Sequence, residues 1–278
     1  MPEGDTIAYA ANRIRPVLEG RVPDEILIPQ PRHALDRWPA RLEGRAVRKV
    51  ETHGKHLFIR FEGDLVLHSH LGMVGVWGVY GPGRRWGRSR RRAWIVFRAD
   101  DHEVVEFDGP LLELVTEGRT RFDQRLAALG PDVLASDFDF DRFLSRLRSD
   151  DPTRALGDAL LDQRNVAGIG NIWKAEGCWE AGVDPWRPVG SVDNAEVIAI
   201  IEAVRPRMMR SAAHGHRAIQ PRVYGFAGRP CPRCGRRIVA RARAPARSPS
   251  GLANAGPGPR PPAGDANRTT YWCPGCQS

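Results

Sequence analysis

Apolar positions predict a helix at the start of the chain and short strands after it. The helical face repeats from Ile7 to Leu18, and His56–Phe61 partly alternates between apolar and polar residues. The spacing of the β-type segments is typical of a sandwich or barrel. Those segments are Glu25–Ile28, Ala46–Glu51, His56–Phe61, Leu65–His68, Gly75–Tyr80, Trp94–Arg98 and Glu103–Phe107. We therefore predict a β-rich domain over residues 1–125 that carries an N-terminal helix.

Helical spacing replaces the strand pattern in the second half of the chain. Four segments show it: Phe138–Leu147, Thr153–Leu161, Ile172–Ala181 and Ala195–Met209. They predict an all-helical domain over residues 126–215, followed by a third domain over 216–278. Residues 241–267 are rich in Ala, Arg, Pro, Gly and Ser and bury too little apolar surface to order themselves, so we predict a disordered insertion there.

Two cysteine pairs near the end of the chain predict a metal site. Cys231 and Cys234 form one CxxC knuckle, and Cys273 and Cys276 form another. Four thiolates at this spacing favour one structural, tetrahedral zinc ion. Disulfides are the alternative, but a reducing compartment argues against them. The fifth cysteine, Cys178, falls in a predicted helix and is expected to be a small buried side chain.

The charge balance predicts a polyanionic partner. The chain has 42 Lys and Arg against 33 Asp and Glu, a net charge of +9, and nucleic acid is the default partner for such a surface. No apolar stretch is long enough to span a membrane, so we expect a soluble cytoplasmic protein. Lysine occurs only at Lys49, Lys55 and Lys174, and a lysine kept in so arginine-rich a chain is informative because an amine can release its proton.

The first residues contain a candidate reactive centre. If Met1 is removed, Pro2 becomes a free secondary amine with a pKa of about 8, and a neutral fraction of it is nucleophilic at pH 7. Glu3 beside it is a candidate general acid or base. The alternative is an ordinary solvated chain start, with Asp5 or Thr6 capping the following helix.

Four further features each have a functional and a structural interpretation. Lys55 lies in a His53–His56 glycine turn and is either a phosphate contact or an exposed hairpin lysine. His68 and His70 share one strand face, where a metal site is conceivable but lacks an evident carboxylate partner. Met73, between two glycines, is either offered to a partner or packed in a core. The Arg84–Arg92 cluster either follows a phosphate backbone or forms a solvated, mobile loop.

A glycine-rich turn precedes the third predicted helix. Gly168 and Gly170 permit close backbone approach, and a helix that begins near Asn171 presents free N–H groups. Such a helix start favours anions, although the same glycines also serve ordinary turn geometry.

In this order, the motifs resemble the formamidopyrimidine-DNA glycosylase/endonuclease VIII family of base-excision repair. The residues that carry the resemblance are Met1-Pro2-Glu3-Gly4, Gly54-Lys55-His56, Gly168 to Ile172, Val223-Tyr224-Gly225 and Arg268 to Gln277. The resemblance runs nearly end to end. It implies a multidomain α and β fold with an N-terminal helix and β-sandwich, a helix–two-turn–helix domain and a C-terminal zinc-finger β-hairpin.

The resemblance also implies a reaction. Pro2 attacks C1′ of a damaged nucleotide and forms a Schiff base, Glu3 protonates the sugar ring oxygen, and β,δ-elimination cuts the strand with Lys55 on a phosphate. Gly170, Asn171 and Arg268 are implied phosphate contacts, and Met73 is implied to fill the gap left by an everted base. The implied partner is damaged double-stranded DNA, bound by a monomer that needs zinc but no small-molecule cofactor, with a cytoplasmic, nucleoid-associated location.

Three departures from the family pattern refine the prediction. Thr6 stands where many members have an acidic residue, and we do not identify the arginine–phenylalanine wedge of the formamidopyrimidine branch in Gly109–Phe122. His214–Pro221 is short for a lesion-capping loop, which favours the endonuclease VIII branch and oxidised pyrimidines. Two rival functions remain: a non-catalytic, zinc-containing sensor of damaged DNA on this fold, and a zinc-ribbon RNA-processing factor.

Overall fold

The computed structural model describes residues 2–30, 36–242 and 269–278. The chain separates into two compact units, each of which is discontinuous in sequence. The first unit contains 1–147, 162–169 and 205–220, and the second contains 148–161, 170–204 and 221–278. The three-domain division at residues 125 and 215 stays a prediction.

Two antiparallel four-stranded sheets form the β domain of the first unit. One sheet has the order β2 (Val47–His53), β3 (His56–Phe61), β4 (Leu65–His70) and β8 (Leu111–Thr116). The other has the order β1 (Glu25–Leu27), β6 (Ala93–Ala99), β7 (His102–Phe107) and β5 (Val76–Tyr80). Side chains from both sheets share one core, in which the rings of Phe61 and Phe97 lie 6.0 Å apart. The predicted sandwich is therefore confirmed over the barrel alternative.

Helix α1 (Gly4–Leu18) packs its apolar face into the sandwich core. Ile7, Ile14 and Leu18 are at most 1 % exposed and belong to the same buried cluster as the strand residues. The alternative interpretation, in which Asp5 or Thr6 caps this helix, is wrong. The N-cap residue is Glu3, and its backbone carbonyl accepts hydrogen bonds from the N–H groups of Thr6 and Ile7.

Four elements of the first unit were not predicted. Strand β8 pairs with β4 along its whole length, and helices α2 (Trp38–Leu42), α3 (Glu117–Phe122) and α4 (Gln124–Ala127) are short. The sequence of β8 does not alternate between apolar and polar residues, because Leu112 and Leu114 lie on one face while Leu111 and the buried Val115 lie on the other. A period-two search passes over such a strand, and only its pairing with β4 defines it.

The four helices predicted in the second half of the chain are present. They are α5 (Phe140–Arg148), α6 (Leu156–Leu161), α7 (Asn171–Ala181) and α8 (Asn194–His214). Within the second unit, α7 packs closely on α8 through Gly177: a Cβ built there would lie 2.6 Å from Val204 Cγ1. Cys178 beside it is fully buried, as predicted, and burial raises the pKa of its thiol to about 12.

The C-terminal cysteines accompany a two-stranded antiparallel hairpin in the second unit. Strands β9 (Val239–Ala242) and β10 (Thr269–Trp272) pair in register. Glu176 of α7, fully buried, accepts backbone hydrogen bonds of 2.8 to 3.0 Å from Arg222, Val223 and Tyr224 and so holds the chain that leads into the knuckles. The predicted zinc-finger hairpin is confirmed as a fold. Ordered structure continues through residue 242, and the rest of the predicted insertion lies outside the described residues.

Candidate active site

Three glycines bring distant parts of the first unit into backbone contact. The Gly4 N–H donates to Gly168 O at 2.9 Å, and a Cβ on Gly4 would lie 2.8 Å from the Gly168 Cα. A Cβ on Gly54 would lie 2.7 Å from the Ala167 Cβ and 2.9 Å from the Gly168 N. Gly54 and Gly168 also have φ values of +56° and +101°, which side chains rarely adopt. This glycine junction (Gly4, Gly54 and Gly168) sets Pro2-Glu3 and Lys55 against one loop.

Polar side chains secure the two loops of the glycine junction. The Gly54 N–H donates to Asp132 Oδ2 at 2.9 Å, and the Oδ1 of the same carboxylate accepts from the Leu134 N–H at 2.9 Å. Gln163 spans the other loop, because its Oε1 accepts from the Gly168 N–H and its Nε2 donates to the Ile169 carbonyl. The junction is thus held by hydrogen bonds as well as by close packing.

Pro2 and Glu3 are not an ordinary solvated chain start. Glu3 is only 1 % exposed and Pro2 is half-buried. Glu3 directly follows the candidate nucleophile. A carboxylate that is shielded from water interacts strongly with charge that develops nearby. Pro2 and Glu3 therefore provide the two groups that this chemistry requires, an amine nucleophile and an adjacent acid or base.

Lys55 immediately precedes His56, which belongs to a chain of polar contacts formed by histidines. His56 Nδ1 lies 2.8 Å from His68 Nε2, and His68 Nδ1 lies 3.0 Å from Glu113 Oε1. Burial lowers the pKa of His56 well below its usual value and also lowers that of His68. Burial, together with Lys55, lowers the pKa of His70 to about 4. The lowered pKa values favour the neutral forms of His56, His68 and His70.

The sequence missed Glu113 as a partner of the strand histidines. It lies on β8, the strand that the pattern did not predict, and faces His68 across the β4–β8 pairing. A metal site at His68 and His70 is not supported: among the described residues, the four cysteines are the group of three or more ligand side chains close enough to hold an ion.

Met73 is exposed at the surface and is not packed in a core. Its exposure is 62 %, and that of the neighbouring Val74 is 58 %. The turn that carries them is compact: the Gly75 N–H donates to Leu71 O at 2.8 Å, and Arg88 donates to Val74 O at 2.7 Å. An exposed methionine on a braced turn suits insertion between bases, a role that stays a prediction.

Gly170 and Asn171 form the start of α7 in the second unit. Gly170 is the N-cap in an extended conformation, and Asn171 is 4 % exposed. Asn171 Nδ2 donates to the Thr269 carbonyl at 2.8 Å, and Lys174 Nζ, one helical turn further on, donates to Thr270 Oγ1 at 2.7 Å. The helix start is therefore tied to the strand of the cysteine hairpin. Arg268, a further predicted phosphate contact, lies outside the described residues.

The four knuckle cysteines have a geometry that fits a tetrahedral zinc ion. Their sulfur atoms all lie within 4.8 Å of one another, with Cys231–Cys276 at 3.8 Å and Cys234–Cys273 at 3.4 Å. Zinc–sulfur bonds of about 2.3 Å would place tetrahedral ligands about 3.8 Å apart. The separations are too long for disulfides, whose S–S bond is about 2.05 Å.

Surrounding groups stabilise the negative charge of the cysteine cluster. The Trp179 indole N–H donates to Cys231 Sγ at 3.3 Å, and the Arg233 backbone N–H donates to the same sulfur at 3.4 Å. The Arg233 guanidinium stacks over the Trp179 ring at 4.2 Å. Such hydrogen bonds to sulfur orient thiolate ligands and favour their charged form.

The Arg84–Arg92 cluster is anchored at several points. The Trp86 indole donates to Glu103 at 2.6 Å and packs edge-on against Phe107, with 5.6 Å between the ring centroids. Arg88 and Arg92 both pair with Asp108, at 2.5 and 2.7 Å. These contacts argue against a mobile loop, while a role on a phosphate backbone stays a prediction.

A second buried carboxylate, Asp5, was also missed as a site residue. Asp5 is 1 % exposed, accepts a hydrogen bond from Ser211 Oγ at 2.5 Å and lies 3.8 Å from His216 Nδ1. No sequence spacing relates Asp5 to residues about 210 positions later.

In the described part of the chain, no helix is long and apolar enough to cross a membrane.

The comparisons with known proteins agree with this geometry. The N-terminal domain of formamidopyrimidine-DNA glycosylase matches residues 1–122, and its H2TH domain matches residues 129–222. Solved structures of Lactococcus lactis Fpg bound to DNA containing N7-benzyl-Fapy-dG or an abasic site share the fold, each with a TM-score of 0.78 and 22 % identity over at least 99 % of both chains. This chain belongs to the formamidopyrimidine-DNA glycosylase family.

Two relatives specify the branch of the family. A probable endonuclease 8 2 from Streptomyces coelicolor is 42 % identical over all of this chain and 94 % of its own length. The Nei2 protein of Mycolicibacterium smegmatis, named a DNA-(apurinic or apyrimidinic site) lyase, is 34 % identical over all of this chain and 99 % of its own length. The predicted likeness to the endonuclease VIII branch is confirmed.

Proposed function

We propose that this protein is a bifunctional DNA glycosylase and abasic-site lyase of base-excision repair. The observation that carries the proposal is the glycine junction, which sets Pro2-Glu3 and Lys55 against the same loop. The relatives' names and the family match support the same reaction class. The preferred substrates are oxidised pyrimidines in duplex DNA, in keeping with the short His214–Pro221 segment.

The proposed mechanism begins after removal of Met1. The neutral amine of Pro2 attacks C1′ of the damaged nucleotide, and the bond from C1′ to the base breaks. Glu3 protonates the ring oxygen, the sugar opens, and a Schiff base forms between the Pro2 nitrogen and C1′. Elimination of the 3′ and then the 5′ phosphate cuts the strand, and hydrolysis releases Pro2. Lys55 binds a phosphate beside the reacting sugar.

DNA binding in this proposal uses phosphate contacts and one apolar side chain. Gly170 and Asn171 at the start of α7, together with Arg268, contact phosphates on the damaged strand, and Met73 fills the space left by the everted base. Zinc at Cys231, Cys234, Cys273 and Cys276 supplies a structural crosslink for the hairpin that carries Arg268. The protein acts as a monomer in the cytoplasm, associated with the nucleoid, and uses no small-molecule cofactor.

Covalent trapping tests the proposal. Borohydride reduces the Schiff base to a stable amine, so incubation with an abasic or thymine-glycol duplex should yield a protein–DNA adduct. Mass spectrometry should place the DNA on Pro2 and should show that Met1 is absent. Pro2→Gly should trap at least tenfold less, because a primary amine in a shifted backbone replaces the ring nitrogen.

A matched panel separates this function from its rivals. Lys49→Arg is the control for Lys55→Arg, because Lys49 is an exposed lysine of the same sheet paired with Glu51. The control should trap normally. Binding to abasic DNA without adduct or strand cutting would favour a non-catalytic damage sensor, and preference for single-stranded RNA would favour the RNA-processing alternative.

A further inference from the structure

A buried carboxylate in the first turn of α1 lies close to a half-exposed histidine from the turn after α8. Asp5 follows Glu3 by two residues and is buried in the first turn of α1. Its Oδ2 accepts a hydrogen bond from Ser211 Oγ at 2.5 Å and lies 3.8 Å from His216 Nδ1. The side chain of His216 is 47 % exposed. The imidazole therefore has a buried carboxylate within ion-pair distance of Nδ1, and about half of its surface is exposed.

The backbone after α8 is shaped to place His216 there. The helix ends at His214, and the Gly215 N–H donates to the Ser211 carbonyl at 2.7 Å. Gly215 has a φ of +85°, and a Cβ there would lie 3.2 Å from the Tyr9 ring. Asn12 Nδ2 donates to Ala212 O at 2.9 Å and fixes the helix end against α1. The turn that carries His216 is thus packed against the helix that begins at Gly4.

The neighbours of His216 favour its charged form. The contact with Asp5 raises its pKa above the ordinary value; partial burial opposes the shift, and the negative charge of Glu3 adds to it. The positive charge of the N-terminus also opposes the shift. His216 therefore lies within electrostatic reach of Glu3, the residue after the candidate nucleophile, and its neighbours favour the protonated ring.

We propose that His216, oriented by Asp5, is the general acid that protonates the departing base. This inference rests on the glycosylase activity proposed above. As the Pro2 nitrogen bonds to C1′, the C1′–N1 bond breaks and its electron pair leaves with the pyrimidine. The pyrimidine takes a proton from the His216 imidazolium and departs neutral, and His216 becomes neutral imidazole. Solvent restores the proton after the base has left.

The arrangement repeats a known division of labour between a carboxylate and an imidazole. A buried carboxylate that fixes one ring nitrogen holds the imidazole in one orientation and stabilises its cation, which leaves the other nitrogen to exchange the proton. Asp5 has a second anchor in Ser211, so the carboxylate keeps its position while His216 changes charge. Positioned general acids contribute about 10²- to 10⁴-fold to a rate.

The proposal predicts that one step of the reaction depends on His216 and the other does not. Base excision breaks the C1′–N1 bond, whereas cleavage of a preformed abasic site has no base to protonate. We expect His216→Gln to reduce excision of thymine glycol about 100-fold under single-turnover conditions. Cleavage of the same duplex with an abasic site should stay within about threefold of wild type.

Two variants separate proton donation from charge and from structure. His216→Arg keeps the positive charge but holds no transferable proton, so it should be as defective in excision as His216→Gln. Arg217→Gln, in the same turn and exposed, removes one charge and should leave both steps near wild type. Asp5→Asn should lower the pKa of His216, seen in the NMR titration of its ring protons, and should move the alkaline limb of the excision profile to lower pH.

The possible outcomes are distinct. Equal losses of excision and abasic cleavage in His216→Gln would show a structural role and overturn the inference alone. Full excision by His216→Arg would reduce the role to electrostatics and also overturn it. If the wild-type protein cleaves neither substrate, the proposed function fails and this inference with it.

Discussion

Replacing Gly4 with alanine should test the glycine junction. On helix propensity alone the change is favourable, because alanine at a helical position is more stable than glycine by about 0.5 to 1 kcal/mol. The φ of Gly4 is not positive, so its own backbone tolerates a side chain. Any loss of stability must then come from what the new methyl group meets.

The methyl group of Gly4→Ala meets backbone atoms only. It would lie 2.8 Å from the Gly168 Cα, 3.1 Å from its carbonyl oxygen and 3.3 Å from its carbonyl carbon. Backbone cannot rotate away as a flexible side chain does, and overpacking of this kind costs about 1 to 3 kcal/mol. We therefore expect Gly4→Ala to lower the free energy of unfolding by about 1 to 2 kcal/mol despite the gain in propensity.

Gly118→Ala is the matched control. Gly118 also lies in the first turn of a helix, but a Cβ there would meet its nearest atom, Thr116 Oγ1, at 3.9 Å, which is ordinary contact. The control should be about 0.5 kcal/mol more stable than wild type. Urea unfolding monitored by circular dichroism gives both values on one scale.

The activity of Gly4→Ala should fall further than its stability. Relief of the clash moves Pro2-Glu3 away from the loop that also contacts Gly54, and displacements of about 1 Å cost about 100-fold in rate. Single-turnover cleavage of an abasic duplex, under conditions where the variant remains folded, measures the loss. A variant as stable and as active as Gly118→Ala would refute the close backbone contact on which the argument depends.

Three further predictions concern other parts of the molecule. Zinc removal by a chelator, or Cys273→Ser, should unfold the cysteine hairpin, release the Trp179 indole from Cys231 and abolish DNA binding. Tryptophan fluorescence follows the unfolding and a gel shift follows the binding. Unchanged fluorescence in the metal-free protein would contradict this prediction. His70 is held neutral with a pKa of about 4, and its unfolded pKa is about 6.5, so the protein should lose about 1 to 3 kcal/mol as pH falls from 6.5 towards 4. His70→Gln should lose less over that range in urea titrations, and an equal loss would rule out this source of acid sensitivity. Met73→Ala should change the free energy of unfolding by less than about 0.5 kcal/mol, because the side chain is 62 % exposed. The variant should nevertheless bind an abasic duplex about tenfold more weakly, as measured by fluorescence anisotropy. Unaltered affinity would show that Met73 is not part of the interface.

Patterns that are local in the sequence predicted most of the elements correctly. Helix and strand periods depend on residues within a few positions of one another, so α1, most of the sandwich strands and the four later helices were predictable. Strand β8 was not, because apolar residues occupy both of its faces. The true cap of α1 was also missed, since Asp5 is drawn into a buried contact with Ser211 and does not serve its own helix.

The features of the candidate site likewise divide into those that the sequence predicted and those that it did not. The sequence by itself determined the chemical groups: the amine and carboxylate of Pro2-Glu3, a lysine kept in an arginine-rich chain, and four thiolates at metal-binding spacing. Only the tertiary structure decided which groups meet. Gly4 and Gly168, Glu113 and His68, and Asp5 and His216 are 45 to 211 residues apart, and their contacts come from packing that no local period records. Residue type determines the chemistry of a side chain, whereas the packing of segments that are distant in sequence determines which other groups it contacts.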